Sequence, residues 1–171
     1  PVDLTFNHML SRVRFQFENG MADGSILTVS NVKIIDAYTS GTATLAEQLT
    51  VNSWTPGQGT GALEFDGAAA MEKDAKEATA HKYMIPATKD YKLSFTVTRV
   101  HHGVTDVYNH NNVKLQGLTF EPGKSYQLKA TLTAENINPN EELCPIQFTA
   151  EVKGWENFTD KAFDVKTATN N

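Results

Sequence analysis

Three segments of this chain alternate apolar and polar residues with a period of two, and this alternation constrains the fold more than any other feature. In the first segment, residues 4–17, Val13, Phe15 and Phe17 alternate with polar residues. Side chains along a β-strand point alternately to opposite faces, so the pattern predicts a strand with one buried face and one solvated face. The other two segments, residues 118–132 and 145–155, show the same alternation.

The second segment contains Pro122 and Gly123, a pair typical of a type II turn with Gly123 at a positive φ. Apolar residues then recur at every second position of both segments: Tyr126, Leu128, Ala130 and Leu132, and Ile146, Phe148, Ala150 and Val152. We therefore expect a sheet protein whose core includes Phe15, Phe95, Leu128 and Phe148. Truncation of any one of these four residues to alanine should lower the free energy of unfolding.

The rest of the chain consists of short strand patterns separated by turn-rich segments. Further strands are predicted near residues 26–29, 32–37, 43–51, 62–66, 82–86, 91–97 and 113–115. Turns are expected at 18–25 and 54–61, and at most a short helix or an ordered loop at 71–78. A hairpin with a long polar tip is expected at 101–112. Eight to ten short strands predict an all-β fold, an antiparallel β-sandwich formed by residues 1–159 as a single domain.

Composition and charge exclude several classes of function. Among 171 residues, 15 are basic and 20 acidic, a formal charge of -5 without long charged runs, so nucleic acid is not an expected partner. No stretch approaches the roughly 20 apolar residues that a membrane-spanning helix needs. Because the chain begins with Pro1, we interpret it as a processed piece of a longer protein.

Candidates for catalysis are few. A single cysteine, Cys144, excludes an internal disulfide and is interpreted as a small buried thiol beside Pro145. A catalytic serine needs a positioned base and an oxyanion hole. The residue spacing around Ser11, Ser30 and Ser125 suggests neither. The sequence therefore predicts no enzyme and no cofactor.

One polar segment contains potential metal ligands. His101, His102, Asp106 and His110 are suitable zinc ligands if the loop brings them together. The other interpretation, a solvated hairpin end, is preferred because the spacing matches no established metal pattern, and so no metal site is predicted. His8 is expected to be a hydrogen-bonded core histidine.

Four segments resemble a known family, the Bacteroidales fimbrillin-like proteins, which are subunits of type V pili. Residues 2–15 resemble the strand that begins the second domain of these proteins, which carries a His-Met or His-Ala pair and then Ser-Lys or Ser-Arg. Residues 83–86 resemble an apolar strand ending in proline, residues 118–126 a Gly-Lys-x-Tyr hairpin, and residues 152–155 the last Val-x-x-Trp strand. The four resemblances occur in the order of the family.

The resemblance implies a transthyretin-like β-sandwich, the C-terminal domain of a two-domain protein exported as a lipoprotein precursor. Such a protein is found at the cell surface, in a fimbria or at the outer membrane of a Gram-negative bacterium. The lipidated cysteine and the protease-cleaved strand of the family would lie in an N-terminal part that precedes this chain. Cys144 lies too deep in the sequence to be the lipid anchor.

The resemblance also implies assembly with other pilus subunits by strand addition. Residues 160–171 follow the last expected strand, and Ala162, Phe163 and Val165 are candidate contacts for such a donor strand. The alternatives for this tail are a frayed terminus or one more strand of the home sheet. The alternative function is a domain that binds carbohydrate or a host ligand, with Trp54, Tyr38 and Tyr108 as the first stacking candidates if they are exposed.

Overall fold

The alternating apolar residues build two β-sheets that face each other across one hydrophobic core. The computed structural model describes residues 8–46, 51–140 and 145–155. The strands of these ranges are β1 (Ser11–Asn19), β2 (Ile26–Tyr38), β3 (Gly41–Leu45), β4 (Val51–Pro56), β5 (Thr60–Glu64), β6 (Ala68–Met71), β7 (Lys76–Ala78), β8 (Lys82–Met84), β9 (Thr88–His101), β10 (Val104–Thr119), β11 (Ser125–Leu132) and β12 (Thr149–Lys153). The described residues contain no helix, and the all-β prediction is confirmed.

The first sheet has the strand order β12-β11-β1-β7, and β8 also pairs with β1. β1 and β11 run parallel, with Phe15 opposite Leu128. The pairings of β1 with β7 and β8 and of β11 with β12 are antiparallel. A tight hairpin turn forces antiparallel pairing, but β1 and β11 are too distant in sequence to be joined by such a turn. The sequence therefore left their relative direction undetermined. The first sheet is therefore mixed within a largely antiparallel fold.

The second sheet has the order β10-β9-β2-β5, with β6 also paired to β2, and its strands β9 and β10 are longer than predicted. The segments 26–29 and 32–37 form one strand, β2, with an irregularity where Asn31 has a φ of 53°. The predicted long polar tip at 101–112 is wrong. β9 and β10 continue through it to a turn at His102 and Gly103, where both φ angles are positive, as a tight type I′ hairpin requires.

Two further predictions are corrected by long-range pairing. Residues 71–78, expected as a short helix or a loop, instead contain the end of β6, a turn and β7. β6 pairs with β2 and β7 with β1, so this segment crosses from one sheet to the other. Sheet pairing and the burial of Met71 outweigh the helix propensity of alanine, glutamate and lysine. The predicted turn at 54–61 begins later, because Trp54 belongs to β4, which forms a hairpin with β3.

The core lies between the sheets and contains the predicted residues. Phe15, Phe95 and Leu128 are buried, and Phe148 is half-buried against the same cluster. Phe17 of the first sheet meets Phe95 of the second with ring centroids 5.4 Å apart. In β12, however, Val152 is 49% exposed, because this strand forms the edge of the first sheet. None of the described elements is a helix of the length and apolarity needed to cross a bilayer.

Candidate functional site

The beginning and the end of the described domain meet in a cluster of aromatic and basic side chains, which we call the terminal cluster: His8, Arg12, Tyr83 and Trp155. The rings of His8 and Trp155 stack with centroids 3.8 Å apart at an interplanar angle of 14°. Tyr83 is parallel to Trp155 with centroids 5.7 Å apart. The guanidinium carbon of Arg12 lies 5.3 Å from the Trp155 ring centroid, within the range of a cation–π contact.

The register of the first sheet places this cluster. Arg12 is opposite Tyr83 on one side and opposite Ser125 on the other, and Ser125 is in turn opposite Lys153. These residues share one row across the sheet, so the start of β1 and the end of β12 lie at the same pole. The chain continues from Trp155 at this pole.

Two arginines of β1, Arg12 of the terminal cluster and Arg14, are buried on the face that was predicted to be solvated. Arg12 and Arg14 are 9% and 4% exposed. Arg12 donates from Nε to Ser125 Oγ at 3.0 Å, and Arg14 donates from Nε to Gln127 Oε1 at 2.6 Å. Buried guanidinium groups require such partners, and the polar residues of parallel β11 supply them. The solvated-face prediction for Arg14 is therefore wrong.

Two backbone contacts fix the segment that leads into β1. The indole nitrogen of Trp54 donates to the carbonyl of Met9 at 2.8 Å. The N–H of Gly123 donates to the carbonyl of Leu10 at 3.0 Å. The β3–β4 hairpin, the turn before β11 and Trp155 all hold this short segment, so the path of the chain into the domain is defined.

A groove of about 560 Å³ lies on another side of the sandwich, between β10 and residues 145–148. Its apolar lining comes from both segments: Val113, Leu115, Leu118, Ile146 and Phe148. In the described ranges, β10 pairs only with β9, so its outer edge carries backbone groups without strand partners. The lining also includes polar side chains from the same two segments, Asn111, Asn112, Lys114, Gln116 and Gln147, so the groove is mixed in character.

Charged groups gather at the opposite pole, beside the hairpin that joins β9 to β10. Arg99 donates to Asp23 Oδ2 at 2.7 Å and contacts Asp106 Oδ2 at 3.5 Å. The pKa of Asp23 is held far below its usual range, mainly by hydrogen bonds from the hydroxyl and backbone N–H of Ser25. Arg99 lowers it further by a smaller amount. Asp23 is thus ionised and stabilises the turn between β1 and β2.

The structure does not bring the potential metal ligands together. His110 is buried, its Nε2 lies 2.9 Å from the Ile137 carbonyl, and its ring stacks on Phe95. His101 and His102 stack on each other at the hairpin turn. Within the described ranges, no group of three or more histidine, cysteine, aspartate or glutamate side chains could hold a metal ion. The prediction for His8 is also wrong, because it is exposed and stacks on Trp155.

The predicted stacking residues all have partners within the protein. Trp54 binds the Met9 carbonyl, Lys89 lies over the ring of Tyr38 with its Nζ 4.9 Å from the centroid, and Tyr108 packs against the core. Of the serines, Ser11 donates to the Glu121 carbonyl and Ser125 accepts from Arg12. The donor-strand candidates Ala162, Phe163 and Val165, and also Cys144, lie outside the described residues.

The terminal cluster was not predicted from the sequence. Its members come from three segments that are distant in sequence, residues 8–12, Tyr83 and Trp155, so no local pattern could have indicated it. Within the cluster, the rings of Tyr83 and His8 are exposed, Tyr83 at 58%, whereas Trp155 is half-buried.

Comparisons with known proteins agree with this architecture. A sequence model of the family described as fimbrillin-like matches residues 1–155. A fimbrial protein from Bacteroides vulgatus ATCC 8482 is similar in structure with a TM-score of 0.59 at 14% identity, over 88% of this chain and 55% of that one. A proposed cell adhesion protein from Parabacteroides distasonis ATCC 8503 has a TM-score of 0.53 at 11% identity, over 87% of this chain and 52% of that one.

At these identities the two structures show a shared fold, and this chain spans about half of their length. No curated protein sequence matches the chain significantly.

Proposed function

Because this chain belongs to the fimbrillin-like family, we propose that it is a non-catalytic domain of a fimbrial subunit assembled on the bacterial cell surface. The family match over residues 1–155 carries the proposal, and the fold shared with a fimbrial protein supports it. Because the chain spans about half of that structure and residues 2–15 resemble the strand that begins the second domain of the family, we assign it to the C-terminal domain of a two-domain subunit. A lipid anchor and attachment to the outer membrane would belong to the N-terminal part of the parent protein.

Assembly proceeds by strand addition, with the tail at residues 160–171 as the donor. In the tail, Phe163 and Val165 alternate with Asp164 and Lys166, the pattern of a strand with one apolar face. The tail follows Trp155, which the terminal cluster holds at one pole of the domain. A strand leaving there reaches a neighbouring subunit, where main-chain hydrogen bonds provide affinity and alternate side chains provide specificity.

The test is polymer formation by the full-length parent protein. Phe163→Asp combined with Val165→Asp should abolish fibres in electron micrographs, because a charge buried in an apolar groove is costly. The matched control exchanges the polar positions, Asp164→Lys with Lys166→Asp, and should retain fibres. Fibres of normal length in the first variant would overturn the donor role of the tail.

A second candidate function is carbohydrate or host-ligand binding, and one observation favours it. The ring of Tyr83 is 58% exposed beside Trp155, and exposed aromatic faces stack on sugar rings. A glycan array with the isolated domain tests it: selective binding lost in Tyr83→Ala and kept in Tyr38→Ala would support this function. An array without selective binding would leave the structural role as the sole candidate.

A further inference from the structure

The edge strand β10 has two halves that differ in how they are protected against pairing with another chain. From residue 110 onward, the register with β9 shifts twice, between His110 and Val113 and between Leu115 and Leu118. Between the shifts, Lys114 projects from the strand. Bulges and lysines are the means by which natural sheets prevent edge-to-edge association. The half of β10 from 110 to 119 is therefore protected.

The other half, residues 104–110, has none of this protection. Its pairing with β9 is continuous from Val104 to His110, and it contains neither proline nor lysine. Val104 and Val107 are 61% and 58% exposed. Within residues 105–109 the only charged side chain is Asp106, which contacts Arg99 across the β9–β10 pair. Among the described residues, this half is a regular, nearly uncharged and partly apolar strand edge, the type that pairs with other strands.

The sequence of this half is complementary to itself. If two copies pair antiparallel about Val107, Thr105 lies opposite Asn109, and Asp106 lies opposite Tyr108. Like charges do not face each other in this register, and the two Val107 side chains form a β-branched pair at the symmetry axis. An isologous contact of this kind closes after two copies.

The outer face of the second sheet is compatible with the joining of two such sheets along β10. Nine residues in three rows across β2, β9 and β10 face outward beside this edge, and none of them is charged: Ile26, Thr28, Ser30, Thr96, Thr98, Val100, Thr105, Val107 and Asn109. Two copies joined at β10 would continue this face without electrostatic repulsion between adjacent strands. The uncharged surface is also rich in threonine, valine and isoleucine, which suit a pleated sheet.

We propose that residues 105–109 of β10 form an interface with the same residues of a second copy of this chain, joining two second sheets across a two-fold axis. The contact is lateral and uses neither the tail nor the terminal cluster. It goes beyond end-to-end assembly and does not depend on the proposed fimbrial function. Its chemical basis is main-chain pairing of a self-complementary strand edge.

Disulfide trapping tests the register in the full 171-residue chain carrying Cys144→Ser. Val107→Cys places two thiols opposite each other at the axis. The Cα–Cα distance between opposed residues of an antiparallel pair is one that a disulfide can span, so oxidation should give a covalent dimer. Thr105→Cys is the matched control, because its partner would be Asn109, and it should cross-link at least about tenfold more slowly. Equal cross-linking rates for the two variants would overturn the proposed register.

Sedimentation velocity over a range of concentrations tests the association itself. The wild-type chain should show a monomer–dimer equilibrium, whereas Val107→Lys and Val107→Glu should each sediment as monomers, because each opposes like charges at the axis. An equimolar mixture of the two variants should recover the dimer. Val152→Lys, at another exposed valine, on β12, should dimerise as wild type does, and so should Phe163→Asp. A monomeric wild type, or a dimer unchanged by Val107→Lys, would overturn the proposal.

Discussion

At the scale of single residues, Gly123 shows how a local sequence signal determines backbone geometry. Its φ is +68°, as the Pro-Gly turn predicts, and its N–H donates to Leu10. A Cβ atom at this position would lie 3.4 Å from the His8 carbonyl oxygen, so strain comes from the backbone angle and not from a clash. The turn therefore connects the start of β11 to the segment that leads into β1.

Replacement of this glycine should destabilise the domain. We expect Gly123→Val to lower the free energy of unfolding by about 1–2 kcal/mol, because a β-branched residue is disfavoured at positive φ. Chemical denaturation measures the change. Gly154→Val is the control, since its site is open and its φ is not in the left-handed region. Equal stability of the two variants would contradict this role of the turn.

Asp23 makes stability depend on pH at the pole opposite the terminal cluster. Hydrogen bonds from Ser25 and Arg99 lower the pKa of Asp23 in the folded protein, so the folded state binds a proton less readily than the unfolded chain. The stabilisation is complete above the unfolded pKa of about 4 and is lost as the pH falls below it.

Asp23→Asn should therefore reduce the loss of stability on acidification. The difference in thermal unfolding midpoint between about pH 6 and about pH 3 should be smaller in the variant than in wild type. Glu72→Gln, which removes an exposed acidic residue from the β6–β7 turn, should leave that difference unchanged. An unaltered pH dependence in Asp23→Asn would contradict a lowered pKa of Asp23 in the folded protein.

At the scale of elements, burial distinguishes the central strands from the edge strands. Phe95 of β9 and Leu128 of β11 are 2% and 0% exposed, whereas Phe148 precedes the edge strand β12 and is half-buried. Phe95→Ala and Leu128→Ala should each cost about 2–5 kcal/mol in the free energy of unfolding. Phe148→Ala should cost less, because part of its surface is already in water. Urea denaturation of the three variants checks this order, and a larger cost at Phe148 would contradict it.

Elements also differ in how well their partners could be predicted. The alternation of β9 correctly places Tyr91, Leu93, Phe95 and Val97 on one buried face. In β1, both faces are covered over Ser11 to Phe15, since Ser125 and Gln127 of β11 pair with the arginines. A period of two indicates which face is apolar. It does not indicate whether polar partners cover the other face.

At the scale of the whole molecule, β12 is the last strand within the part of the chain that the structure describes, and two sheets and one core are already formed there. Deletion of residues 160–171 should therefore leave folding intact, with the circular dichroism spectrum and the urea midpoint of the longer chain. If the shortened chain is unfolded, the tail is an integral strand of the home fold and the donor-strand proposal fails. The lateral interface at β10 should persist in the shortened chain, because it is formed by residues 105–109 and the deletion leaves them in place.

The sequence by itself determined the all-β class, the buried faces of β1, β9 and β11 and the left-handed glycine at 123. Each of these depends on neighbouring residues, because side-chain alternation and turn geometry are local properties of the chain. The resemblance of four segments to the fimbrillin-like family indicated the family that the match over residues 1–155 shows.

Tertiary structure decided the parallel pairing of β1 with β11, the strands at β6 and β7, the burial of Arg12 and the contact of His8 with Trp155. Each of these joins segments distant in sequence, or depends on such a junction. Local patterns cannot rank competing long-range pairings, whose free energy depends on the packing and hydrogen bonding of the complete fold. The same long-range pairings determine which strands lie at the edges of the sheets. One such edge, β10, is where we propose that this protein contacts a second copy.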